Sequence, residues 1–159
     1  MLRDPSLVPL SRQHQHALAL CVRIERALQD DAVDLSAWQL EMRQLYADEV
    51  RFHFAAEAQI LFPAARRFPD LAALAEELSS EHERLREYFG HAEQGAMNQG
   101  ELEAFAKVLS AHIRTEERQL FEAMQKRMRR EELRSLGDEL ARALEDAVQA
   151  CRLRPTAHS

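Results

Sequence analysis

The chain has 159 residues, 46% of them hydrophobic, enough for one continuous core and the expectation of a single domain over residues 1–159. Its 21 basic and 27 acidic side chains give a net charge of −6 with both signs interspersed, so no basic stripe is present to neutralise phosphates and nucleic acid is not expected as a partner. No stretch reaches the ~20 apolar residues of a membrane span and MLRDPSLVPLS lacks a signal-peptide apolar run, so a cytoplasmic protein without membrane contact is expected.

Few Gly and Pro, many Ala, Leu, Glu and Arg, and almost no β-branched runs predict an all-α fold. In the first segment, residues 10–29, Leu10, Ala17, Cys21, Ile24 and Leu28 recur at helical spacing around His14. The run DDAVDLS supplies a turn and an N-cap at Asp34 or Ser36. A second stripe then runs through Leu35, Trp38, Met42, Leu45, Glu49, His53, Glu57, Ile60 and Ala64, with Pro63 expected to kink or end the helix and Pro69 to close the segment.

The third stripe is Leu71, Leu74, Leu78, His82, Leu85 and Phe89, broken by Gly90 and the Gly95–Gly100 stretch. The fourth is Leu102, Phe105, Leu109, His112, Glu116, Leu120 and Met124. Leu133, Leu136, Leu140, Leu144, Val148 and Cys151 mark a further helix at about 131–152, with Gly137 as a weak point. The expected architecture is an antiparallel up-down-up-down four-helix bundle, core about 8–128, with an additional C-terminal helix that caps the bundle or mediates a homodimer. Cys21 and Cys151 are too few and too far apart for a disulfide framework and read as buried reduced thiols.

Each of the four main stripes carries a histidine where the pattern demands an apolar residue: His14, His53, His82 and His112. In two of them a glutamate follows four residues later, as HFAAE (His53, Glu57) and HIRTE (His112, Glu116), and side chains at that spacing share a helix face. An uncompensated carboxylate in a core costs several kcal/mol, and two on facing helices repel, so a cation is the natural partner. Imidazole with carboxylate suits iron, manganese or zinc.

Helical rise places these histidines at similar levels, about 16 and about 20 residues from the first turn and about 16 and about 13 from the second. An internal repeat agrees with this: RQHQHALALC around His14 aligns with SEHERLREYF around His82, and HFAAEAQILF aligns with HIRTEERQLF. Two copies of one metal-gripping hairpin would be related by a pseudo-twofold axis.

These residues resemble the hemerythrin-like, HHE cation-binding family over roughly residues 8–128: an early His, His-x-x-x-Glu followed by Leu-Phe-Pro, then Glu81-His82, then His-x-x-x-Glu followed by Leu-Phe. The resemblance implies His14, His53, His82 and His112 as terminal ligands of two non-haem iron ions, and Glu57 and Glu116 as bridges, with an oxo or hydroxo group between the metals. Zinc or manganese are the substitutes it allows. Oxygen carriers of the family have His-x-x-x-His in the third helix and His-x-x-x-x-Asp in the fourth; here Arg86 follows His82 by four and Glu116 stands at the shorter spacing. Fewer protein ligands leave room for oxygen, nitric oxide or peroxide. The family's iron-centre repair proteins share the His and Glu arrangement and add a cysteine-bearing domain.

The function expected from this resemblance is di-iron binding, with binding or sensing of oxygen, nitric oxide or iron placed ahead of a redox enzyme that reduces peroxide or nitric oxide. Ferritin-like oxidases would show Glu-x-x-His, and Val50, Ser79 and Leu109 occupy those positions. His16 faces away from His14 and is the alternative ligand. Glu49 is read as a partner for a ligand imidazole or a surface residue, Glu81 and Glu117 as solvent-facing, Arg86 as pairing with a carboxylate or reaching the surface, and His91 and His158 as solvated.

Overall fold

The computed structural model describes residues 1–152, apart from the side chains at 150 and 151; the thiol of Cys151 and His158 lie outside what is described. Among the described residues there are five helices and no strand. They are α1 (Val8–Gln29), α2 (35–66), α3 (Pro69–Glu93), α4 (99–127) and α5 (Arg130–Arg152).

The starts of these helices follow from their sequences. Pro9 and Pro69 occupy the first turns of α1 and α3, where a missing N–H costs nothing. Asp34 caps α2 by accepting from the Ala37 N–H, and Asn98 caps α4 by accepting from the Glu101 N–H, each worth about 1 kcal/mol. The two turns share one design. Asp31 and Gly95 take left-handed φ of 51° and 65°, and the next residues, Ala32 and Ala96, bond back to the carbonyls of Ala27 and His91. The hairpin repeat thus extends into its turns.

Partner residues run in opposite order along each neighbouring pair of helices. Arg23 meets Glu41 and His16 meets Glu49 between α1 and α2; His91 meets Glu101 and His82 meets His112 between α3 and α4. Arg66 with Glu76 and Glu57 with His82 tie α2 to α3, while Ser11 with Glu117 and His14 with Glu116 tie α1 to α4. The result is the expected antiparallel bundle.

Several local expectations are corrected. Pro63 does not end α2, because the turn before it, Glu57–Leu61, is a wide π-turn and α-helix resumes at Phe62–Arg66. Pro69 opens α3 rather than closing α2, with Phe68 extended before it. Gly90 sits inside α3, and the helix ends only before Gly95. Further π-turns lie at Tyr46–Val50 and Glu116–Phe121. Each wide turn holds an extra residue, and those in α2 shift the buried face, so Val50, Leu61 and Ala65 face inward where simple periodicity expects Glu49, Ile60 and Ala64.

The apolar core is divided in two. One part, built on Leu10, Phe62, Leu78, Phe121 and Met124, is covered by Leu133, Leu136, Leu140 and Leu144 of α5. The other joins Cys21, Ile24, Met42, Leu85, Phe89, Leu102 and Phe105. Each of α1 to α4 passes from one part to the other in the stretch that carries its His or His–Glu pair. The helix α5 caps the bundle through its leucine stripe, and Gly137 is a point of close approach rather than a weakness: a Cβ there would lie 2.5 Å from the Ser6 Cβ. Among the described residues no helix is long and apolar enough to cross a membrane.

Candidate metal centre

The layer between the two cores holds His14, His53, His82, His112, Glu57 and Glu116, every one of them at least 96% buried: Glu57 and Glu116 are 0% exposed and none of the imidazoles exceeds 4%. They form two overlapping groups, His14, His53, Glu57, Glu116 and Glu57, His82, His112, Glu116, each with ligand atoms within 4.8 Å of one another. The structure therefore brings together all six residues singled out in the sequence. It leaves out His16, which is exposed and bonded to Glu49 at 2.8 Å.

All four imidazoles present Nε2 to the centre. The His14 and His53 Nε2 atoms are 3.1 Å apart, and those of His82 and His112 are 3.2 Å apart. Each carboxylate spans both pairs. Glu57 puts Oε1 2.7 Å from His53 and Oε2 3.0 Å from His82; Glu116 puts Oε2 3.0 Å from His14 and Oε1 3.4 Å from His112. Both carboxylates head a π-turn, at Glu57–Leu61 and Glu116–Phe121. Such turns recur at functional sites because they re-aim a side chain without ending the helix.

The outward nitrogens are fixed by partners on neighbouring helices. His14 donates from Nδ1 to Glu117 at 2.7 Å, His112 to Glu81 at 2.6 Å, and His53 to the Gln13 side-chain oxygen at 2.8 Å. A carboxylate or amide oxygen can only accept, so a proton sits on each of these Nδ1 atoms, and each ring in its neutral form turns its Nε2 lone pair inward. Glu117 also accepts from Arg3 and from Ser11.

These contacts correct the reading of Glu81 and Glu117 as solvent-facing; of the two readings of Glu49 the surface one holds, since its imidazole contact is to the exposed His16 and not to a ligand. Gln13 went unrecognised in the sequence. Its signal was there: it precedes His14 as Glu81 precedes His82, and both are polar acceptors in the repeat. Arg86 pairs with no carboxylate among the described residues and lies over the Phe54 ring, 5.6 Å from its centre. His91 is exposed, as expected, with Glu101 3.3 Å away.

Charge in this layer is tightly coupled. Burial alone would push His14 and His112 down, but Glu116, Glu117 and Glu57 hold His14 well above its ordinary value of 6.5, and Glu116, Glu81 and Glu57 hold His112 at about 10. Burial raises Glu57, yet His53, His14 and His82 outweigh it and keep it well below 4.5. Burial and the Glu57 charge raise Glu116, and His112 and His14 bring it below 4.5.

Whether a cation fits is decided by the carboxylate oxygens. All four, on Glu57 and Glu116, are buried without a partner in hydrogen-bonding geometry, although imidazole nitrogens stand close by. Leaving such atoms unpaired in a core costs several kcal/mol. Lone pairs of four imidazoles and two carboxylates converging on one interior suit a divalent first-row metal. A cavity of about 20 Å³ touches this layer, lined by His14, His53 and His112 with Val50, Phe54, Leu109 and Ile113. A water-sized molecule needs roughly 10–15 Å³ by the same measure, so one very small molecule fits.

Compared with known families, residues 8–124 match a model described as the Hemerythrin HHE cation binding domain. Neither curated proteins nor solved structures gave a match.

Proposed function

The chain belongs to the family of hemerythrin HHE cation binding domains, and on that premise we propose that it holds two non-haem iron ions within one domain and uses them to bind or sense oxygen or nitric oxide. The observation that carries this reading is the set of four partnerless carboxylate oxygens facing four inward imidazole nitrogens. His14 and His53 would hold one ion and His82 and His112 the other, with Glu57 and Glu116 each turning one oxygen to each half. When bound, such a pair supplies reversible redox chemistry and open positions for a small ligand. Zinc and manganese suit the same donors.

The protein's part is to hold and to exclude. Gln13, Glu81 and Glu117 keep three imidazoles in the metal-binding tautomer. Phe54, Val50, Leu109 and Ile113 give the cavity beside His14, His53 and His112 a largely apolar wall, with Gln13 and Glu49 at its polar side, and its small volume selects a diatomic molecule over a larger substrate.

The test is optical and reversible. Iron-loaded protein, reduced anaerobically and exposed to nitric oxide or oxygen, should give an adduct spectrum that disappears when the gas is removed. Peroxide is small enough for the same cavity, and sustained peroxide turnover with return of the starting spectrum would favour a redox enzyme.

A further inference from the structure

The repeat that builds this layer is broken outside it. His53 aligns with His112 and His14 with His82, which makes Gln13 the counterpart of Glu81 and Ala58 the counterpart of Glu117. Gln13 and Glu81 perform the same task, each accepting from the Nδ1 of the histidine on the following helix. Glu117 accepts from His14, but Ala58 has no acceptor to offer His82. Among the described residues no side chain is hydrogen-bonded to the His82 Nδ1.

His82 is held by aromatic faces instead. Its ring stacks on Phe54 with centroids 3.8 Å apart and planes 14° apart, and Phe62 lies 5.3 Å away. A π face fixes the plane of an imidazole and is indifferent to which nitrogen bears the proton. His82 must therefore place its Nδ1 proton when it binds a metal, whereas the Nδ1 protons of His14, His53 and His112 are already held by their acceptors. The bridging carboxylates lean the same way: the oxygens turned to His53 and His14 stand at 2.7 and 3.0 Å, those turned to His82 and His112 at 3.0 and 3.4 Å.

We propose that the two halves are inequivalent, the His14–His53 half taking up metal first and the His82–His112 half holding the more exchangeable ion. Gln13 and Glu117 are the positioning residues of the first half, and Glu81 is that of the second. This rests on the dinuclear reading above. The cavity touches both ligands of the first half, His14 and His53, and His112 of the second.

The experiment is a cobalt(II) titration of the metal-free full chain, followed by visible absorption and calorimetry. Two separated steps are expected, the first about tenfold or more tighter, since a lost imidazole partner costs about 10–100-fold in metal affinity. His82→Ala should abolish the second step and spare the first. Gln13→Leu should weaken the first step and spare the second, and Gln13→Glu should restore the first. Uptake of two ions with one common affinity, loss of the first step in His82→Ala, or an unmoved first step in Gln13→Leu would overturn the inequivalence and leave the dinuclear centre standing. No cobalt uptake at all would overturn both.

Discussion

The Nδ1–H of His14 is bonded to Glu117 at 2.7 Å, and the same carboxylate grips Arg3 at 2.5 Å, so the segment before α1 is tied to a candidate metal ligand through one side chain. Glu117→Leu should therefore lower metal affinity by about 10–100-fold, with Glu117→Gln retaining most of it, because the amide oxygen still accepts. Arg3→Ala should loosen the terminal segment with a smaller effect on metal. Competition against a coloured chelator measures all three, and equal affinity in Glu117→Leu and the parent would contradict the role.

Metal should stabilise the fold strongly, since it pairs four oxygens that otherwise have no partner. At free metal 100-fold above the dissociation constant the gain is about 2.7 kcal/mol for each ion bound. For a chain of this length that raises the unfolding temperature by roughly 5–10 °C. Calorimetry with and without chelator reads the difference directly.

The metal-free protein should also show a characteristic pH profile. His14 and His112 lie above 6.5 in the fold, so they take up protons on folding; that stability is complete below about pH 6.5 and is lost as pH rises, for His112 through about 10. Glu57 and Glu116 lie below 4.5, so their contribution is complete above about pH 4.5 and lost on acidification. The melting temperature in chelator should be highest between about pH 4.5 and 6.5 and should fall towards pH 10. Metal competes with the same protons, so its stabilisation should grow over that range. A chelated protein that becomes more stable between pH 7 and 10 would contradict this account of the layer.

Gly137→Ala should destabilise the protein despite alanine's better helix propensity. The new Cβ would meet backbone as well as side chain, with the Ser6 Cα at 2.7 Å. Overpacking of this kind costs about 1–3 kcal/mol, more than the ~1 kcal/mol gained in propensity. A lowered unfolding temperature, with Arg3 released from Gln125, is the expected result.

In a Cys151→Ser variant, Cys21 should resist alkylation in the native state. Burial pushes its thiol up to about 11, and the side chain is 1% exposed. Rapid labelling at pH 8 without denaturant would contradict this.

The helices and the polar layer were legible because both depend on spacing along single helices. Leu10, His14, Ala17 and Cys21 follow one unbroken α-helical period, and each His–Glu pair is four apart. The buried face of α2 was less legible, because π-turns at Tyr46–Val50 and Glu57–Leu61 each insert a residue that hydrophobic spacing does not announce, whereas the expected stripe of α4 from Leu102 to Met124 is buried throughout. Glu81 and Glu117 were misplaced for a related reason. Each points about 100° away from its neighbouring ligand on its own helix, yet that direction leads to an imidazole on the adjacent helix. Their role belongs to packing between helices, and only the matching positions of Gln13 and Glu81 in the repeat hinted at it.

The central claim is tested most directly by counting metal in folded protein. Protein loaded anaerobically with ferrous iron and freed of excess should hold two irons per chain, and a His53→Ala, Glu116→Ala double variant with unchanged helical circular dichroism should hold none tightly. A parent protein that folds fully and retains no metal would contradict the account.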